Sequence, residues 1–199
     1  MTSLENSPPD QMLWCWRHPR AIGAAGRCIG QTDLAVDARK AKRLAHRIRR
    51  QARLHGLPRT VWVSPLARSL AVGRWLARWG WRYRVTDLLS EMHFGQWDGR
   101  PWSEVPWSAV QAWQDDFLHH APGGGESVRD LRRRVQAFQA LSAGGVHLLV
   151  GHGGWINVLL HVDADAQALS AATWPAAPPH GSLSLSGHPR EPSIARHGV

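Results

Sequence analysis

Two arginines and two histidines stand where three apolar runs of this chain stop. Met12-Leu-Trp-Cys-Trp16 halts at Arg17-His18, Thr60-Val-Trp-Val-Ser64 leads through Pro65-Leu-Ala to Arg68, and Val146-His-Leu-Leu-Val150 leads into Gly151-His152-Gly-Gly154. In an α/β domain, side chains at the carboxyl end of a buried strand project into the crevice where ligands bind. A guanidinium beside an imidazole at such a place makes an anion site. Arg68 falls in the first turn of a predicted helix, where free N–H groups and the positive end of the helix dipole suit a phosphate.

The elements that must deliver these groups follow from periodicity and caps. Asp37 caps a predicted helix with an apolar stripe of Ala41, Leu44, Ala45, Ile48 and Ala52, which ends near Gly56 and Pro58. Its other face is basic, with Arg39, Lys40, Lys42, Arg43, Arg47, Arg49 and Arg50, and reads as a solvated surface. A second helix is predicted over residues 66–79, closed by Gly80, and a third strand over residues 83–86. From Gly99 to Pro122 the chain reads as an irregular, tryptophan-rich excursion that could cover the crevice. Ser127 and Asp130 form a capping box for a helix with Val128, Leu131, Val135 and Phe138 inward and Arg129, Arg132, Arg133 and Arg134 mostly toward solvent. A strand over 146–150, a helix over 155–160 and an alternating strand over 182–186 complete the pattern. Strands separated by helices predict an α/β three-layer sandwich with a mainly parallel central sheet.

Length and composition bound the rest. With 199 residues and no linker dividing it, the chain is expected to form one domain over residues 11–199 behind a loose tail of residues 1–10. A formal charge of +9 favours acidic ligands or nucleic acid and does not by itself choose between them. Only Cys15 and Cys28 are present, with no CxxC and no signal-like apolar stretch at the amino end, so a reducing cytoplasm is the expected location. No uninterrupted apolar run reaches the roughly 18 residues of a membrane helix, so no membrane partner is expected.

Taken together, Arg17-His18, Ser64-Pro-Leu-Ala-Arg68, Leu89-Ser-Glu91 with Phe94-Gly-Gln-Trp97-Asp-Gly99, Gly124-Gly-Glu-Ser127 and Gly151-His152-Gly-Gly154 resemble the histidine phosphatase superfamily, whose fold is phosphoglycerate mutase-like. The resemblance covers nearly all of the chain after the tail. Arg17-His-Pro19 followed by Gly26-Arg-Cys-Ile-Gly30-Gln-Thr-Asp33 looks most like the α-ribazole phosphatases of cobalamin biosynthesis, and the short chain resembles the phosphatases more than the cofactor-dependent mutases. Three positions depart from the family pattern: Pro19 stands where many members have glycine, Asn157 where an arginine is common, and Asp98 where glutamate is usual.

The resemblance implies a metal-independent phosphomonoesterase needing no cofactor. His18 would be the nucleophile, neutral and attacking through one ring nitrogen, with Arg17 and Arg68 as fork-shaped phosphate donors. The nearby guanidinium groups would keep His18 uncharged. His152 would donate to the phosphoryl group, and Glu91 would protonate the leaving alkoxide and then deprotonate the attacking water. Gln31 and Thr32 fall where the family often contacts phosphate. For the substrate, Trp97, Trp102 and Trp107 are the candidates for stacking on a planar base such as that of α-ribazole 5′-phosphate.

Other readings remain open from the residues alone. One is a broad-specificity sugar-phosphate phosphatase or a mutase using the same groups. Another is a non-catalytic basic module that binds nucleic acid, which would not require two arginines and two histidines at three strand ends; nucleic acid is therefore not an expected partner. A metal hydrolase would need ligand spacings such as HExxH, which do not occur, so no metal is expected. A homodimer is left open.

Overall fold

A computed structural model describes residues 11–161 and 170–187; the expected tail, residues 1–10, lies outside them. Five strands form one sheet: β1 (Gln11–Arg17), β2 (Thr60–Val63), β3 (Arg82–Val85), β4 (Gly145–Gly151) and β5 (Leu183–Gly187), in the order β3-β2-β4-β1-β5. All neighbours pair parallel except β5, which runs antiparallel to β1 along the edge. The register sets Arg17 beside Gly151 and Val63 beside Val150. Consequently His18, Ser64 and His152, each one step past its strand, emerge side by side at one end of the sheet.

The period of two along β1 divides its side chains between two cores. Leu13 and Cys15 pack with Leu149 on β4, with Leu131, Val135 and Phe138 of α4 (Val128–Leu141), and with Trp155, Ile156 and Leu159 of α5 (Gly153–Leu160). On the opposite face Trp16, Val61, Val63, Leu148 and Val150 pack against the stripe of α1 (Ala38–Leu54) and against Val72 and Leu76 of α2 (Ala67–Ala77). Helices therefore cover both faces of a mainly parallel sheet, as the alternation of elements required. The caps are where the side-chain chemistry puts them. Asp37 accepts from the Lys40 N–H at 2.9 Å, and Ser127 and Asp130 close the capping box at the start of α4.

The excursion differs from the expectation of an irregular segment. It contains short 3₁₀ turns and a helix, α3 (Trp107–Asp115), begun by Pro106. Ala109, Val110 and Trp113 share one side of α3 and pack on a small core of Cys28, Trp97 and Val105. Only three of the five apolar positions among its nine residues face that core, so the periodic signal is short against the surrounding tryptophans. No helix among the described residues is long and apolar enough to cross a membrane.

Candidate active site

A cavity of about 470 Å³ opens at the carboxyl ends of the parallel strands. One wall is charged, with Arg17, His18, Arg68 and Glu91; another is aromatic, with Phe94, Trp102, Trp113, Phe117 and Trp174.

His18 is only 6% exposed, and its Nδ1 lies 2.6 Å from the Pro19 carbonyl oxygen. A carbonyl oxygen can only accept, so Nδ1 carries the ring proton and the Nε2 lone pair is left free. The acceptor is a main-chain carbonyl that any residue at position 19 would present, so the departure from glycine to proline leaves this contact intact. Burial above all, then the positive field of Arg68, His180 and Arg17, pulls the His18 pKa well below that of a free imidazole. Desolvation thus outranks the guanidinium groups as the reason the ring stays neutral.

His152 is fully buried beside it, with ring centroids 4.8 Å apart. Its Nε2 meets the Ser64 hydroxyl at 2.7 Å, and its Nδ1 has no partner among the described residues. Burial and the neighbouring His18 hold its pKa well down too.

The arginines are anchored through backbone carbonyls rather than carboxylates. Arg17 donates through Nη1 to Pro178 at 2.6 Å, and Arg68, 1% exposed, donates to the carbonyls of Thr32, at 2.8 Å, and Gly30. Burial lowers the pKa of both, opposed by the charge of Glu91. A guanidinium starts high enough to stay cationic.

Glu91 is held at the amino end of α5. Its Oε1 accepts from the N–H groups of Met92 (3.0 Å) and Trp155 (3.1 Å), and its Oε2 from that of Gly154 (3.0 Å). A Cβ on Gly154 would stand 2.8 Å from Oε1, and one on Gly153 would stand 3.2 Å from the Arg17 guanidinium. A side chain at either glycine after His152 would displace its neighbours, Glu91 at Gly154 and Ala177 and Arg17 at Gly153.

Gln31 and Thr32 do not border the cavity. The Gln31 amide donates to the Glu91 carbonyl at 3.1 Å, and the Thr32 hydroxyl donates to Asp98. Asp98 also receives the N–H groups of Gly30, Gln31 and Thr32, at 2.7 to 3.1 Å, so this shorter carboxylate fastens the loop that carries the carbonyl partners of Arg68. Of the three tryptophans singled out, only Trp102 lines the cavity. Trp97 is buried in the small core with Cys28 and Val105, and Trp107 is 64% exposed on α3 outside the lining. Asn157 is buried and donates to the Pro175 carbonyl at 2.7 Å, tying down the segment that bears Trp174.

Two further residues escaped the sequence reading. Arg134 does not face solvent. It makes a bidentate pair with Glu126 (2.9 and 2.7 Å), and its Nη groups donate to the carbonyls of Leu88, Ser90 and Glu91, so it braces the loop that positions Glu91. The available signal was its place between the inward positions Leu131 and Val135, with Glu126 just before the capping box. His180 lies 5.3 Å, ring to ring, from His18 and its Nδ1 is 3.1 Å from the His18 carbonyl. It reaches the site because β5 runs antiparallel, which brings the amino end of this strand to the ligand end of the sheet.

The sequence pattern of the histidine phosphatase superfamily (branch 1) matches residues 13–198. The chain belongs to that superfamily. Among solved structures, this superfamily member is similar to TTHB049 from Thermus thermophilus, at 28% identity and a TM-score of 0.64, over 87% of this chain and 92% of that one. It is also similar to a phosphoglycerate mutase from the same organism, at 27% identity and 0.62, over 87% and 91%. The α-ribazole phosphatase of Shigella flexneri shares the fold, with a TM-score of 0.67, 23% identity, and coverage of 87% and 89%. No curated protein sequence matches the chain significantly.

Proposed function

We propose that this histidine phosphatase is a metal-independent phosphomonoesterase that works through a phosphohistidine on His18. The observation that carries the reading is the commitment of the Nδ1 proton to the Pro19 carbonyl, which leaves Nε2 as a lone pair in a cavity bordered by two guanidinium groups. Phosphoryl transfer needs little more than an in-line nucleophile and fixed positive charge around the equatorial oxygens. Arg17 and Arg68 supply that charge, and His152 donates from Nδ1, the nitrogen not engaged by Ser64.

In the first step Nε2 forms the N–P bond as the ester P–O bond breaks, and the leaving alkoxide takes a proton from Glu91. Water then attacks the same phosphorus, returns a proton to Glu91, and releases phosphate and His18. Oxygen Oε1 of Glu91 already accepts two N–H groups and Oε2 only one, so Oε2 keeps the lone-pair direction through which the proton passes. Gln31 and Thr32 act behind this set, through Glu91 and Asp98.

For the substrate we infer a phosphomonoester with a planar group, for which α-ribazole 5′-phosphate is the leading candidate. Support comes from the Gly26 to Asp33 resemblance and from the aromatic wall, where Trp102 is joined by Trp113 and Trp174. A mutase using the same residues would shield its phosphohistidine from water. The test is hydrolysis of p-nitrophenyl phosphate and α-ribazole 5′-phosphate in the presence of EDTA, with acid quenching to trap the acid-labile phosphoenzyme. His18→Ala is expected to lose label and to cut turnover by about 10³-fold or more; turnover at the native rate would end the mechanism. Hydrolysis negligible beside phosphoryl exchange between hydroxyls would favour the mutase.

A further inference from the structure

A second cavity, of about 560 Å³, adjoins the catalytic one. The two share Arg20 and His180 as a common wall, and the second continues over Lys40, Arg43 and Arg47 on the outer face of α1, with no carboxylate in its lining among the described residues. None of these four Lys and Arg residues makes an ion pair among those residues. The wall is fixed in place: His180 is joined to the His18 carbonyl, Arg47 donates to the Gly181 carbonyl at 2.6 Å, and the Gly181 N–H donates to the Arg17 carbonyl at 2.8 Å. The nearest carboxylate along the chain, Asp37, lies outside this lining and caps α1 on the Lys40 N–H, where it offsets part of one charge. Residues 38–86 hold fourteen Lys and Arg and not one Asp or Glu. Like charges gathered around a concavity without counter-charges repel one another, and the concavity focuses the field on an anion entering it.

We propose that this cavity is a subsite for a second anionic group on the substrate, a phosphate or carboxylate held by Lys40, Arg43 and Arg20 while the scissile phosphate sits at His18. The inference rests on the phosphomonoesterase reading and sharpens its substrate class. The planar group and the second charge occupy different walls, so one molecule can satisfy both. Arg47 is partly spent on Gly181 and serves mainly to hold the wall.

Matched substrate pairs test this: adenosine 5′-monophosphate against adenosine 3′,5′-bisphosphate, and glycerol 3-phosphate against 3-phosphoglycerate. The doubly anionic member of at least one pair is expected to show kcat/KM higher by roughly tenfold or more, expressed in KM, as charge-assisted contacts provide. The first pair reports a phosphate, the second a carboxylate. Lys40→Gln and Arg43→Gln lie on an exposed helix face and leave the apolar stripe intact. Together they should abolish that preference while p-nitrophenyl phosphate hydrolysis stays within about twofold of native. Absence of a preference in both pairs, or a preference that survives the double variant, overturns the subsite while leaving the phosphatase reading intact. Loss of p-nitrophenyl phosphate hydrolysis in the native enzyme would instead bring down the underlying reading.

Discussion

The charged and aromatic walls of the catalytic cavity are built on different principles. Each polar side chain of the first wall, the neutral His18 included, is fixed by backbone groups, most of them from a distant segment: His18 by Pro19, Arg17 by Pro178, Arg68 by Gly30 and Thr32, and Glu91 by Met92, Gly154 and Trp155. The aromatic wall is held by ring contacts, such as Trp113 stacked on Phe117 at 5.5 Å and Phe117 edge-on to Trp174 at 5.1 Å. Hydrogen bonds prescribe atom positions to tenths of an ångström, whereas ring packing tolerates exchange of one apolar group for another. On the proposed function, the chemistry belongs to the first wall and the choice of leaving group to the second.

The sharpest way to break the charged wall is Glu91→Gln, which keeps the size, removes the proposed proton carrier and gives up the hydrogen bond from the Gly154 N–H, since an amide nitrogen cannot accept. Turnover of an alkyl phosphate is expected to fall by about 10² to 10⁴-fold. An aryl phosphate with a good leaving group should fall less, and equal losses would argue against Glu91 as the acid. Next comes the brace behind that wall. Arg134→Met leaves Glu126 without its cation and the Ser90 carbonyl without this donor, while the Leu88 and Glu91 carbonyls keep Trp155 and Gln31, and should destabilise the fold by about 3–5 kcal/mol in chemical denaturation. A loss within experimental error would mean that the pair is dispensable.

The buried imidazoles tie stability to pH with a definite sign. His18 and His152 have folded-state pKa values below their unfolded values, so below about pH 6.5 the unfolded chain binds protons that the folded chain refuses. Stability is complete above that pH and falls beneath it, by about 1.4 kcal/mol per pH unit for each ring until its folded pKa is reached. Thermal unfolding at pH 7.5 and 5.5 should show the drop, and His152→Gln should lessen it; an unchanged slope would assign it to other groups.

The smallest effect belongs to the aromatic wall. Trp102→Leu is expected to raise KM for a substrate with a planar group about fivefold or more with little change for a small aliphatic phosphate. Trp107→Leu, outside the lining, should leave both unchanged. Equal shifts for the two substrates in Trp102→Leu would remove stacking from the account.

How much of this was legible in the sequence varies with the kind of interaction involved. The stripe of α1, both caps and the strand ends bearing Arg17, His18, Arg68 and His152 could be read because local periodicity and capping chemistry decide them. Arg134 was misplaced because an arginine on an amphipathic helix ordinarily faces water, and Glu126 together with the carbonyls of the 88–91 turn reverses that preference. Trp97, Trp102 and Trp107 could not be told apart, since an indole suits a core, a cavity wall or an exposed helix face equally well.

By itself the sequence determined the layered α/β architecture, the family, and which polar side chains sit at strand ends, because these depend on near-neighbour spacing and on motifs in order. The tertiary structure alone decided the His18 tautomer, the free lone pair on Glu91 Oε2, the arrival of His180 through an antiparallel edge strand, and the basic cavity behind it. Each of those depends on how the folded chain sets its groups against one another, and no local preference encodes that placement.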